Sequence, residues 1–265
     1  MSETSGTTVG IKTFLRTSKL RMCLESLTNH AWHSVIVADD GPIDAKRERM
    51  YAELAERLPL QLLRLEFDTG LGAGRNEIVR QCQTDHLLML DDDQTVPGNI
   101  GDLSEVLDEA SEIGGVSCIW IERDGLKCTA CDISIDGSRL IKECRADHEI
   151  RRTTAGQRYV VFDFIPNSTM FRTACLRDQA WDPIYKIGKE HLDFYLSHKK
   201  LGKWRFAVSM DVRIGHHPEG SSKKYARFRG GKRVKVSEKY FLDKFGVTEV
   251  IEGRKFIDPQ HRGKG

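Results

Sequence analysis

The stretch HLLMLDDD, His86 to Asp93, decides how this chain is read. Leu87 to Leu90 form a short, continuous apolar run, the pattern of a strand buried on both faces. Three aspartates follow at once. Ligands of parallel α/β sheets bind in the crevice outside the carboxyl ends of the strands, which is where this triplet falls. Like charges that close resist joint ionisation unless a cation sits among them. Hard oxygen ligands suit Mg²⁺ or Mn²⁺, which keep open positions for phosphate oxygens. The spacing Asp91-x-Asp93 sets two carboxylates on one side of an extended segment. Turn or cap duty is the plainer reading of an acidic triplet, but directly after a buried strand the metal reading is preferred.

Upstream, apolar and amphipathic runs alternate. Val9–Leu15, Ser34–Ala38 and Leu60–Phe67 read as strands. Ser18–Asn29 (with Ser18 as N-cap), Asp44–Leu58 and Gly74–Cys82 read as helices. This β-α-β-α-β-α-β order predicts an α/β fold with a mostly parallel, Rossmann-like sheet and helices on both faces. Asp39-Asp40-Gly41 closes the second strand. Its carboxylates can accept from a ribose hydroxyl or a base N–H, or the segment forms an Asx-turn. GLGAGRN, Gly70 to Asn76, opens a helix whose first amides suit a phosphate or sugar oxygen, with Arg75 as a cation beside a diphosphate. Its spacing is not GxGxxG, and a tight turn at a helix start is the alternative.

Downstream the pattern is more mixed. Asn99–Ile113 and Lys189–Leu201 read as helices; Gly115–Ile121, Lys127–Ile135, Tyr159–Ile165 and Arg205–Ile214 read as strands. Glu190, His191 and Asp193 share a helix start, where one can act as general base or all can serve as capping charge. His216 and His217 follow a strand, and a neutral imidazole there can complete a metal shell. Ser221–Lys235 carries Lys223, Lys224, Arg227, Arg229, Lys232, Arg233 and Lys235 without an acid. It reads as a mobile basic loop, either a solvated face or a lid over a diphosphate. Ser237–Phe245 reads as a short amphipathic helix. One domain is expected, with a nucleotide half at about 8–98, an acceptor half at about 99–220, and the basic loop and tail at 221–265.

Composition narrows the classes. A length of 265 residues suits one large α/β domain or two small ones, and a net charge of +2 gives no argument for a nucleic acid polymer as partner. Met1 to Thr8 has no signal-peptide pattern and is expected to be disordered. No run of apolar residues is long enough for a transmembrane helix. Seven scattered cysteines fit a reduced, cytoplasmic chain. Cys128 and Cys131, with Cys144 and His148 downstream, make a weak zinc pattern, and ordinary packing is preferred.

Taken in order, these motifs resemble GT-A glycosyltransferases of the family 2 type, and more closely the β-1,4-N-acetylgalactosaminyltransferases that make gangliosides. The matching stretches are AGRNEIVRQCQTDHLLMLDDDQTV (Ala73–Val96), FDFIPNSTMFRTACLRDQAWDP (Phe162–Pro183), EHLDFYLSHKKLGKW (Glu190–Trp204) and MDVRIGHHPE (Met210–Glu219). The resemblance implies an inverting, metal-dependent transfer from a UDP-sugar. Asp39 and Asp40 would hold uracil and ribose, helped by Thr13, Phe14 and Arg16. Gly72, Arg75, Asn76 and Asp92 would sit against the donor. Asp91 and Asp93 would form the DxD motif for Mn²⁺ or Mg²⁺, with His216 on the metal or diphosphate. Asp193 falls where those enzymes carry Glu and is the implied base, with Glu190 or His191 as alternatives. The membrane anchor of the Golgi enzymes is missing, which points to a soluble relative acting on a polysaccharide, lipid-linked glycan or protein, with possible peripheral membrane contact. A nucleotidyltransferase and a non-catalytic nucleotide- or glycan-binding protein are the alternatives.

Overall fold

The computed structural model describes residues 4–220, 222–254 and 256. The first half alternates as β1 (Thr7–Thr13), α1 (Thr17–Leu27), β2 (Ser34–Asp39), α2 (Ala45–Ala55), β3 (Leu60–Arg64), α3 (Leu71–Gln81) and β4 (His86–Asp91). β4, β1, β2 and β3 lie side by side in parallel. Their side chains alternate between two cores. Val9, Ile11, Val35, Val37, Leu88 and Leu90 pack with α1 and α2 on one face, while Ile36, Ala38, Leu87 and Met89 pack with Ile78 and Val79 of α3 on the other. Period-2 alternation with both faces apolar is what a doubly covered parallel sheet requires. Gly10 of β1 lets α3 approach, since a Cβ there would stand 2.5 Å from Ile78 Cγ2.

Beyond β4 the same sheet becomes mixed. A short β5 (Gln94–Thr95), a 3-10 turn (Ile100–Asp102) and α4 (Leu103–Glu109) lead into β6 (Ile113–Glu122) and β7 (Gly125–Lys127). β8 (Asp132–Asp136), β9 (Arg139–Glu143), β10 (Arg151–Arg152), β11 (Arg158–Phe162) and β12 (Thr169–Arg172) follow. The chain ends with α5 (Thr173–Asp178), α6 (Glu190–Leu201), β13 (Arg205–His216), α7 (Lys223–Arg229), α8 (Lys232–Phe245) and β14 (Glu249–Glu252). The main sheet runs β10-β11-β13-β6-β12-β4-β1-β2-β3, and β14-β9-β8 form a small second sheet. No helix of the described residues is long and apolar enough to cross a membrane.

Several boundaries differ from the sequence reading. Residues 1–3 lie outside the described residues, but Thr4 is buried and its hydroxyl donates to Ala31 O at 2.6 Å, so the stretch up to Thr8 is not disordered as a whole. Ser18 is inside α1, which starts after Arg16 without a side-chain cap. The expected helix over Asn99–Ile113 is only the 3-10 turn and α4, and Lys127–Ile135 divides between β7 and β8. The basic loop is two helices. Lys and Arg are good helix formers, Ser222 Oγ accepts from Tyr225 N as an N-cap, and buried Tyr225 and Phe241 anchor the pair to the body. Ser221 and the tail past residue 256 lie outside the described residues.

Candidate active site

A cavity of about 270 Å³ opens at the carboxyl ends of β1, β2 and β4. Asp40 follows β2, Asp91 closes β4 and Asp92 follows it, His216 closes β13, Glu190 and His191 start α6, and Tyr225, Phe228 and Arg229 of α7 complete the wall. Phe14 also lines it, its ring 5.0 Å from that of Phe228 and 5.5 Å from that of Phe67.

The acidic triplet is divided among different partners. Arg75, fully buried, donates from Nη2 to Asp91 Oδ1 at 3.0 Å and holds Nη1 3.8 Å from Glu190 Oε1. Asn167 donates to Asp91 Oδ2. Burial pushes the Asp91 carboxyl up, but Arg75, His191 and Arg16 together bring it down to about 2. Asp92 goes the other way, to about 6: burial raises it, Arg16 opposes, and Asp93 adds to the rise. Thr13 Oγ1 donates to Asp92 Oδ2 at 2.6 Å. Arg16 ion-pairs with Asp92, donates from Nη1 to Asp93 Oδ2 at 2.6 Å, and lies 4.7 Å from the Tyr225 ring centre.

Among the described residues, no three carboxylate, imidazole or thiol groups converge as a ready-made metal cage. Asp93 Oδ1 is nevertheless buried without a hydrogen-bond partner and lies 3.9 Å from His216 Nε2. Glu122 Oε1, 2.8 Å from His216 Nδ1, selects the tautomer that leaves Nε2 with its lone pair toward Asp93. The His216 ring rests on Trp120 at 4.3 Å between centroids. Mg²⁺ and Mn²⁺ sites often take one or two protein ligands and complete their shell with phosphate and water, so Asp93 and His216 fit such an ion. The Cys128–Cys131 segment has no such arrangement: His148 Nε2 lies 2.8 Å from Asp132 Oδ2, and Cys131 and Cys144 are buried.

The three base candidates separate. One turn of helix sends Glu190 and His191 toward the cleft and Asp193 into the protein. Asp193 is 1% exposed, accepts from Tyr185 OH at 2.9 Å and ion-pairs with Lys244 at 2.7 Å. Asp193, the base expected from sequence, therefore lies away from the cleft. Glu190 Oε2 is buried without a hydrogen-bond partner, and His191 Nε2 is 3.5 Å from Glu190 Oε1. Burial, with Arg75 next, holds the His191 imidazole down at about 4.

Three expected donor contacts, Asp39, Gly72 and Asn76, are engaged within the protein. Asp39 is fully buried and does not line the cleft: Gly41 N and Tyr51 OH donate to it at 2.9 and 2.6 Å, and Arg47 pairs with it at 2.6 Å. Asp40 does line it, paired with buried Lys12 and accepting from Gly70 N at 2.8 Å. Burial lowers the Lys12 pKa against the pull of Asp40. The first amides of α3 are not free for a phosphate, because Leu71 N and Gly72 N donate to Lys186 O and Tyr185 O, each at 3.2 Å. Gly72 is needed for packing: a Cβ there would stand 2.3 Å from Asp182 O. Asn76 brackets Trp181, donating to its carbonyl at 2.7 Å and accepting from its N–H at 3.1 Å. Lys12, Glu122, Asn167 and Tyr225 were not singled out from sequence. Only Lys12, a charge inside an apolar strand, carried a local signal.

A parallel half-sheet, an acidic strand end and a mixed half-sheet around one cleft define the GT-A class of nucleotide-sugar transferases. The chain belongs to glycosyl transferase family 2, whose family model matches residues 8–177. It is 27% identical over 244 residues to human beta-1,4 N-acetylgalactosaminyltransferase 1, covering 84% of this chain and 42% of that protein. The rat protein of the same name is 28% identical over 223 residues, covering 79% and 38%. The chain thus spans about two fifths of the length of these relatives. Among solved structures, Staphylococcus aureus TarS 1–349 superposes with a TM-score of 0.58 at 18% identity, over 82% of this chain and 60% of that one. GalNAc-T7 with UDP, GalNAc and Mn²⁺ superposes with 0.61 at 17%, over 84% and 47%. These likenesses show the shared GT-A fold.

Proposed function

We propose that this chain transfers a GalNAc, GlcNAc or Gal residue from a UDP-sugar to a hydroxyl of a glycan, lipid or protein, with inversion and with help from Mn²⁺ or Mg²⁺. One observation carries the reading: a single cleft is lined by Asp40, Asp91, His216, Glu190 and His191, contributed by four different elements. The named activity of the N-acetylgalactosaminyltransferase relatives supports an amino-sugar donor. A TarS structure with UDP-GlcNAc and the GalNAc-T7 complex with UDP and Mn²⁺ support the donor class and the ion.

His191 is the proton acceptor in this reading. Burial keeps the imidazole neutral, with a lone pair for an acceptor hydroxyl, and lowers its basicity, so the proton it takes needs a compensating charge beside it. Glu190, 3.5 Å away, stabilises the imidazolium as it forms. Arg75 spans Asp91 and Glu190 and so fixes the donor side of the cleft relative to the base. Arg229 lines the cleft and opposes the charge that grows on the departing diphosphate. An ion held by Asp93 and His216 would add Lewis-acid stabilisation of that leaving group. Tyr225 and Phe228 narrow the opening and help exclude water.

The test is calorimetric titration of UDP with and without Mn²⁺ on the wild type and Asp93→Ala, followed by UDP release from UDP-GalNAc, UDP-GlcNAc and UDP-Gal over an acceptor panel. Mn²⁺-dependent UDP binding that the variant loses is expected. No UDP binding to either protein sinks the proposal, and tight binding without turnover on any acceptor favours a nucleotide-binding role.

A further inference from the structure

The acidic triplet already holds a cation that belongs to the chain. Arg16 follows β1 at a turn where Leu15 takes the left-handed conformation, φ 61°. Its side chain is 11% exposed, pairs with Asp92 and Asp93, and is covered by the Tyr225 ring of α7. It uses Asp93 Oδ2, while the orphaned Asp93 Oδ1 faces His216. A divalent ion on Oδ1 would therefore share one carboxylate with a guanidinium, and like charges at that range in a buried site repel strongly.

Formal charge sharpens the point. Asp91, Asp92 and Asp93 face Arg16 and Arg75, Lys12 pairs with Asp40 and Lys186 with Asp68, and Glu190 and Arg229 contribute one charge of each sign to the wall. One negative charge is left over. A divalent ion entering alone overshoots it, whereas an ion entering with a sugar nucleotide diphosphate brings its own compensation. We propose that Arg16 is a positioning residue that makes cation entry at Asp93 and His216 conditional on a nucleoside diphosphate in the cleft. This rests on reading the cleft as a nucleotide-sugar site. Tyr225 keeps the guanidinium in place, so α7 takes part in the same control.

The test reads metal binding directly, by the loss of the free Mn²⁺ electron paramagnetic resonance signal, with no turnover involved. Wild type, Arg16→Gln and Arg16→Lys are titrated with Mn²⁺ alone and then with UDP, with circular dichroism and a thermal melt on each protein. The wild type should bind Mn²⁺ at least about tenfold tighter with UDP than without, within the usual range of coupling between two ligands. Arg16→Gln should bind Mn²⁺ alone about tenfold tighter than the wild type and lose most of the UDP dependence. Arg16→Lys should behave like the wild type. A folded Arg16→Gln that binds Mn²⁺ alone no better than the wild type overturns the inference. So does a wild type that binds Mn²⁺ equally well with and without UDP. Should Arg16→Gln not fold, Tyr225→Leu, which uncovers the guanidinium, must weaken the UDP dependence, and an unchanged dependence counts against the proposal. If UDP binds none of the proteins, the donor reading falls, while the comparison in Mn²⁺ alone still decides what Arg16 does.

Discussion

β2 and β4 both end in consecutive aspartates, and the two ends have separate fates. Behind β2, α2 presents Arg47 and Tyr51 one turn apart, and they close on Asp39 together with the Gly41 amide. Both oxygens of that carboxylate accept from donors inside the protein. Behind β4, Arg75, Asn167 and Arg16 reach the triplet from three separate segments, and Asp93 Oδ1 is left without a hydrogen bond. A carboxylate whose two oxygens are both taken by protein donors holds structure, while one with an orphaned oxygen beside a cleft-lining histidine is available to a ligand.

The strongest way to break this contrast is to remove one carboxylate from each end. Asp93→Asn should lower kcat/KM by about 10³-fold or more, since it removes one of two groups suited to the ion, and leave the melting temperature nearly unchanged. Asp39→Ala should do the reverse. It strands the buried Arg47 charge, at a cost of about 3–5 kcal/mol in urea unfolding, while folded protein keeps its affinity for UDP. An Asp39→Ala protein of wild-type stability that fails to bind UDP would return Asp39 to the nucleotide site.

The first turn of α6 repeats the contrast within four residues. His191→Gln should lower kcat by about 10²–10⁴-fold, the usual range for a positioned base, with little change in donor affinity. Glu190→Gln should fall short of that loss. Asp193→Asn weakens contacts with Tyr185 and Lys244, so its effect should be about 1–3 kcal/mol of stability with kcat within a few-fold of wild type. A folded, stable Asp193→Asn enzyme with kcat down a hundredfold would overturn the choice of base.

Local patterns carried the parts of this molecule that local physics decides. The alternation of apolar and amphipathic runs located every strand and helix of the parallel half, and the acidic end of β4 located the cleft. What sequence left open depends on contacts between distant residues. Gly72 and Asn76 look like ligand-binding positions until the 181–186 segment packs on them. Asp193 looks like a base until Lys244 of α8 reaches it. Glu122 becomes visible only when β13 pairs beside β6 and brings His216 to it. The basic segment looks like a loop because its partners, Arg16 for Tyr225 and Asp68 for Arg233, lie far away in sequence.

A dependence on pH tests the buried side of α6. His198 sits two turns beyond His191, fully buried, with Nε2 donating to Gln179 O at 3.1 Å and Nδ1 without a partner. A second proton would have to sit on that unpartnered nitrogen, and burial accordingly lowers the pKa from 6.5 to about 4. The folded pKa is depressed, so between those values the unfolded chain binds more protons than the folded one. Stability therefore falls as pH drops through that window and levels off below it. His198→Gln removes this dependence and leaves that of other groups in place. The stability difference between wild type and His198→Gln, from urea unfolding at pH 7 and pH 5, should shift by about 2 kcal/mol in favour of the variant at the lower pH. The difference isolates His198 from Asp92, whose raised pKa acts in the opposite sense over a similar range. An unchanged difference would mean that His198 accepts its second proton in the fold, and that burial on α6 does less to separate the two histidines than their positions indicate.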